Sequence, residues 1–110
     1  MINIMLIGLG QHATHHHFKL LRLLEEHFLA QCRIIVDLVS ARDRVQDYLQ
    51  KHSSKELEVL VVTDEERDFE NLSAQTAARM NDAAKRLEIT HVIISTEVKA
   101  HYAYIQWAVQ

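Results

Sequence analysis

Ile2-Asn3-Ile4-Met5-Leu6-Ile7-Gly8-Leu9-Gly10-Gln11-His12-Ala13 is the stretch whose reading decides the fold. An apolar segment, Ile2, Ile4, Met5, Leu6 and Ile7, breaks directly into Gly8-Leu9-Gly10. This reads as a strand delivering its carboxyl end into a G-x-G-x-x-A turn, with a helix to follow. Gly8 permits the tight turn, Gly10 removes a Cβ so that backbone can approach a pyrophosphate, and the small Ala13 lets helix pack on strand. Unpaired N–H groups and the positive end of the helix dipole would meet the diphosphate there. An ordinary βα turn could also use two glycines. Position gives this turn its weight, because the 110-residue chain has 2 glycines and both fall at the junction.

Working outward, apolar and polar residues alternate in blocks. Residues 14–28 carry Phe18, Leu20, Leu21, Leu23, Leu24 and Phe28 at helical spacing, with Lys19, Arg22, Glu25 and Glu26 between them. Residues 32–38 are rich in β-branched side chains and read as a second strand. Ser40 is the expected N-cap of a helix reaching about Lys51, with Val45, Tyr48 and Leu49 facing inward. A third strand spans 57–62, and an acidic loop with Asp64, Glu65, Glu66, Asp68 and Glu70 follows over 63–71. Ser73 then caps a helix running to about Leu87, whose apolar stripe is mostly alanine: Ala74, Ala77, Ala78, Met80, Ala83, Ala84 and Leu87. Glu88-Ile89-Thr90 makes the return, residues 91–95 form a fourth strand, and residues 99–110 read as a last helix. Strands alternating with helices imply a Rossmann-like α/β fold: a doubly wound parallel sheet of at least four strands in a three-layer α/β/α sandwich.

Composition narrows the function classes. Residues 1–110 suffice for a single dinucleotide-binding domain with its own core, but are few for a complete two-domain enzyme. A net charge of -3, with basic residues scattered, offers no bulk attraction to nucleic acid or to an anionic membrane. One cysteine, Cys32, excludes an intrachain disulfide, and its place at the start of an apolar strand suggests a buried, inert thiol. With neither a secretory signal nor a long apolar span, a cytoplasmic location is expected.

Several residues could carry chemistry. Asp37 closes the second strand about where the dinucleotide fingerprint wants an acid, somewhat beyond the usual ~20 residues after the glycines. A carboxylate there accepts both hydroxyl protons of the adenosine ribose and repels a 2′-phosphate, which favours NAD over NADP; it could also simply cap a turn. Arg42 and Arg44 follow closely enough to neutralise such a phosphate. His12 and His16 have an i, i+4 spacing, with His15 and His17 alongside, yet His12 belongs to the turn and no Cys, Asp or Glu is near before Glu25. No metal site is expected there, nor in the acidic loop, which lacks a ligand frame.

Ile94-Ser95-Thr96-Glu97, followed by His101-Tyr102-Ala103-Tyr104-Ile105-Gln106-Trp107-Ala108-Val109, carries the second specific signal. Taken with Gly-Leu-Gly-x-His-Ala and the strand-end acid, it resembles the cofactor half of the glucose-fructose oxidoreductase and inositol dehydrogenase family (Gfo/Idh/MocA). That family usually reads Thr-Pro-Pro-x-x-His here; Thr96 and His101 match, whereas Glu97 and Val98 replace the prolines, and a subset that reads Ser-Thr-Glu-Pro is similar through Ser95-Thr96-Glu97. The resemblance implies that Gly8, Gly10, Gln11, His12 and Ala13 line the pyrophosphate turn, that Asp37 holds the ribose, and that Ser95, Thr96, Glu97 and His101 lie along the cofactor toward the nicotinamide. It also implies a longer oxidoreductase acting on a sugar-like or other hydroxylated small molecule. The family's proton-transferring lysine lies beyond the point corresponding to Gln110, so no catalytic residue is expected within this stretch, and exposed surfaces of an excised domain could support a homo-oligomer. Two other readings compete: a stand-alone nucleotide-binding or redox-sensing module of the same fold, and a receiver-like signalling domain. The latter wants clustered acids after the first strand, where Gly8-Leu9-Gly10 stand.

Overall fold

A computed structural model of the chain describes residues 2–10, 18–27, 29–52, 57–62, 73–95, 104–105 and 107–109. In chain order the elements are β1 (Ile2–Ile7), α1 (Phe18–Glu26), β2 (Ala30–Leu38), α2 (Arg42–His52), β3 (Glu58–Val62), α3 (Ala74–Arg86) and β4 (His91–Ile94). Four strands form one sheet in the order β3-β2-β1-β4, and every described pairing is parallel. A Rossmann-like α/β fold is therefore present.

Side-chain alternation along β1 divides the interior in two. Ile4 and Leu6 face one layer with Leu21 of α1 and Val45 and Leu49 of α2, whereas Met5 and Ile7 face the opposite layer with Met80 and Ala83 of α3 and the buried Tyr104. Helices thus cover both faces, which is why β1 is apolar without a break from Ile4 to Ile7. The chain steps from β1 to β2 to β3 with its helices on one face, then crosses back to β4 with α3 on the other. A single crossover handedness demands that change of face when the direction of winding reverses.

β2 departs from simple alternation. Ile4 pairs with Cys32 but Met5 pairs with Ile34, so Arg33 is an extra residue at a bulge. Cys32 and Ile35 consequently share one layer while Ile34 and Val36 share the other. The inserted residue shifts the phase of everything after it, and Asp37 falls on the α1–α2 side with Ile35. Cys32 N–H, on the part of β2 that precedes its pairing with β3, donates to Glu25 Oε1 at 2.9 Å.

Several local expectations need adjusting. Ser40 does not cap α2: it lies inside a 3-10 turn, Val39–Ala41, that precedes the helix, and no side chain caps that turn. An extra tight turn lets the chain leave the sheet before winding into α2. Ser73 does cap α3, its hydroxyl accepting from Thr76 N–H at 3.1 Å. The buried positions of α3 are Thr76, Met80 and Ala83, with Ala74 and Ala78 exposed, so the alanine-rich stripe only partly meets the sheet. Likewise Leu20 and Leu23 of α1 point outward, because a helix lying on a sheet buries only the side that carries Leu21 and Leu24. Glu88 takes a positive φ of 54° in the return from α3 to β4. Trp107 Nε1 donates to Asn81 Oδ1 at 2.8 Å, tying the last described helical residues to α3. The acidic loop over 63–71 lies outside the described residues.

Candidate functional site at the carboxyl edge of the sheet

β1 occupies the position where the strand order reverses, flanked by β2 and β4. Open α/β sheets bind ligands outside the carboxyl ends of their strands at such a switch point. Here the end of β1 is fixed from both sides: Gly8 N–H donates to the Val36 carbonyl at 2.7 Å, and Ser95 N–H donates to the Ile7 carbonyl at 2.7 Å. Among the described candidates, Gly8, Gly10, Asp37 and Ser95 are therefore gathered at one edge. Gln11, His12, Ala13, Thr96, Glu97 and His101 lie outside the described residues.

The two glycines answer different demands. Gly8 has φ 92°, a conformation that costs an L side chain strain, so the backbone itself requires glycine. Gly10 is not in that region, and an added Cβ would meet no described atom within 4 Å. Neither chain conformation nor any described neighbour calls for glycine at Gly10, and a backbone without a Cβ is what a closely approaching ligand needs.

Asp37 and Arg44 close on the turn from the side. Asp37 Oδ2 accepts the Leu9 N–H at 3.0 Å, and Oδ1 accepts the Leu38 N–H at 2.8 Å. Arg44 Nη1 donates to the Leu9 carbonyl at 2.5 Å, while Nη2 stands 3.7 Å from Asp37 Oδ2. Both main-chain polar groups of Leu9 are thus held by charged side chains, and its own side chain is fully buried. An ionised carboxylate offers about four lone-pair positions, so Asp37 keeps acceptor capacity for two hydroxyls after taking two N–H groups. That spare acceptor capacity fits the two hydroxyls of a ribose.

Leu9 could not be found as Asp37's partner from sequence, because its role lies in the main chain. Nor does the run Ile34-Ile35-Val36 betray the bulge, since a continuous apolar stretch hides a change of phase. Cys32 is buried, and burial pushes its thiol up to about 12, with the nearby Glu25 charge adding to the effect. It therefore stays a neutral thiol at ordinary pH. Among the described residues no group of three or more His, Cys, Asp or Glu could hold a metal ion; the histidines at 12, 15, 16 and 17 lie outside them. Among the described residues, too, no helix is long and apolar enough to cross a membrane.

No protein-family model matches the chain, and no curated protein or solved structure matches it. The strand order does separate it from a receiver-like domain, whose 2-1-3-4-5 arrangement would put β3 beside β1; here β4 takes that place.

Proposed function

We propose that this chain binds a nicotinamide dinucleotide, NAD in the first instance, at the carboxyl ends of β1, β2 and β4. It would serve as the cofactor domain of an oxidoreductase. The observation that carries the reading is Gly10, a glycine that neither a positive φ nor any described neighbour requires, at the sheet's switch point. Asp37 supports it from the adjacent strand end, within reach of the same turn.

In this reading the diphosphate approaches the bare backbone at Gly10, beyond the Gly8 and Leu9 N–H groups that Val36 and Asp37 already hold, and Asp37 keeps acceptor capacity for the ribose hydroxyls. By the family resemblance, Ser95, Thr96, Glu97 and His101 would serve the nicotinamide end of the cofactor, and Gln11, His12 and Ala13 its diphosphate end. When bound, the nicotinamide supplies hydride chemistry, while the protein supplies orientation and electrostatics. The resemblance to the glucose-fructose oxidoreductase and inositol dehydrogenase family extends the proposal to a longer enzyme that oxidises or reduces a hydroxylated, sugar-like substrate.

Isothermal titration with NAD, NADH, NADP and NADPH tests the core of this reading. Saturable binding of a dinucleotide is expected, competed by ADP-ribose. Failure to bind any of the four removes it.

A further inference from the structure

We propose that Arg44 is a positioning residue of the diphosphate site: by holding the Leu9 carbonyl it keeps the peptide between Leu9 and Gly10 turned so that the Gly10 N–H is presented to the ligand. The inference rests on the dinucleotide reading and adds to it a residue that acts without touching the cofactor.

The N–H groups of Gly8 and Leu9 are already spent, the first on the Val36 carbonyl and the second on Asp37 Oδ2. Among the described residues nothing accepts the Gly10 N–H. A diphosphate that approaches the bare backbone there meets this donor only if it faces outward. Its direction is set by the peptide before it, which is trans, so that carbonyl and N–H point opposite ways. Arg44 Nη1 holds the Leu9 carbonyl at 2.5 Å, and the Gly10 N–H is thereby turned away from α2.

Left to itself this peptide can flip. Exchanging the two directions carries the following residue from negative to positive φ, as between type I and type II turns, and glycine accepts that change at no steric cost. Gly10 lies outside the positive-φ region here, so the held form is the unflipped one. The missing Cβ that lets a ligand approach thus also frees the donor to turn the wrong way. Asp37 and the buried side chain fix Leu9 itself, but neither holds its carbonyl; Arg44 does. Its Nη2 stands 3.7 Å from Asp37 Oδ2, so the carboxylate that takes the Leu9 N–H also steadies the guanidinium on the Leu9 carbonyl.

Calorimetric titration of wild type, Arg44→Met and Arg44→Lys with NAD, NADP and ADP-ribose tests this, with circular dichroism and melting to establish that the variants are folded. Arg44→Met should weaken all three ligands by one common factor of about three to ten, the fraction of turns left in the competent orientation. Arg44→Lys, whose ammonium can still donate to the carbonyl, should recover most of the loss. The salt dependence of NAD binding should be the same in Arg44→Met as in wild type, because no contact with the phosphates is removed. In the wild type, amide exchange at Gly10 should be faster than at Leu9 and should slow when NAD binds, a readout that needs no variant. Full affinity in folded Arg44→Met, a loss confined to NADP, a flattened salt dependence, no recovery with lysine, or Gly10 exchange that NAD leaves unchanged overturns the assignment of Arg44 and leaves the dinucleotide reading standing. A wild type that binds none of the three ligands overturns that reading and this inference with it.

Discussion

The carboxylate of Asp37 holds the main-chain N–H of Leu9 at 3.0 Å, joining the end of β2 to the turn after β1 across 28 positions of sequence. Arg44 takes the carbonyl of the same residue. A turn whose amide groups are tied down before a ligand arrives loses little freedom on binding, which is how preorganisation favours affinity.

Replacing Asp37 with alanine removes the acceptor of a part-buried N–H and is expected to cost about 1–3 kcal/mol of stability. NAD binding should weaken with a relative gain for NADP. Asp37→Asn should recover part of the stability, because an amide oxygen can still accept from Leu9. Denaturant titration and calorimetry check both effects, and an unchanged cofactor preference would count against Asp37 as the ribose ligand.

Gly8 and Gly10 should separate fold from function. Gly8→Ala forces a side chain into φ 92° and is expected to destabilise by about 1–3 kcal/mol. Gly10→Ala should stay within about 0.5 kcal/mol of wild type, since its Cβ meets no described atom within 4 Å. Gly10→Val should abolish dinucleotide binding with an unchanged circular dichroism spectrum. Retained binding would remove Gly10 from the diphosphate site.

Cys32 makes an alkaline prediction. Its folded pKa of about 12 lies above the ordinary 9.0, so between those values the folded chain keeps a proton that the unfolded chain has lost. Stability from this group is therefore complete below about pH 9 and declines as pH rises toward 12, by a few kcal/mol in all. The difference in unfolding free energy between wild type and Cys32→Ala should shrink over that window. Thiol alkylation at neutral pH should be negligible until the chain is unfolded; rapid labelling of the native protein would contradict the burial of Cys32.

Ser73→Ala should cost about 1 kcal/mol through loss of the cap on the Thr76 N–H, and Ser73→Asp should preserve it. Thermal melts of the two variants give the comparison directly.

Much of the architecture is written locally. The apolar run of β1, the glycine turn, the Ser73 cap and the strand–helix alternation can be read from neighbouring residues, because polarity period and capping chemistry act over a few positions. The boundary errors also have local causes: β2 begins at Ala30 rather than Cys32, and a 3-10 turn delays α2 beyond Ser40. Of the candidate site, Gly8, Gly10, Asp37 and Ser95 were all legible as residue types, whereas their shared edge was an expectation of the fold.

What the sequence determined alone is the kind of element each segment forms and the glycine-bearing turn at the end of β1. Only the tertiary structure decided the order β3-β2-β1-β4, the bulge at Arg33 that turns Asp37 toward Leu9, and the clasp of Arg44. The physical reason is range: helix and turn preferences depend on adjacent side chains, while register, strand order and a bond spanning 28 positions depend on partners that meet only when the sheet is assembled.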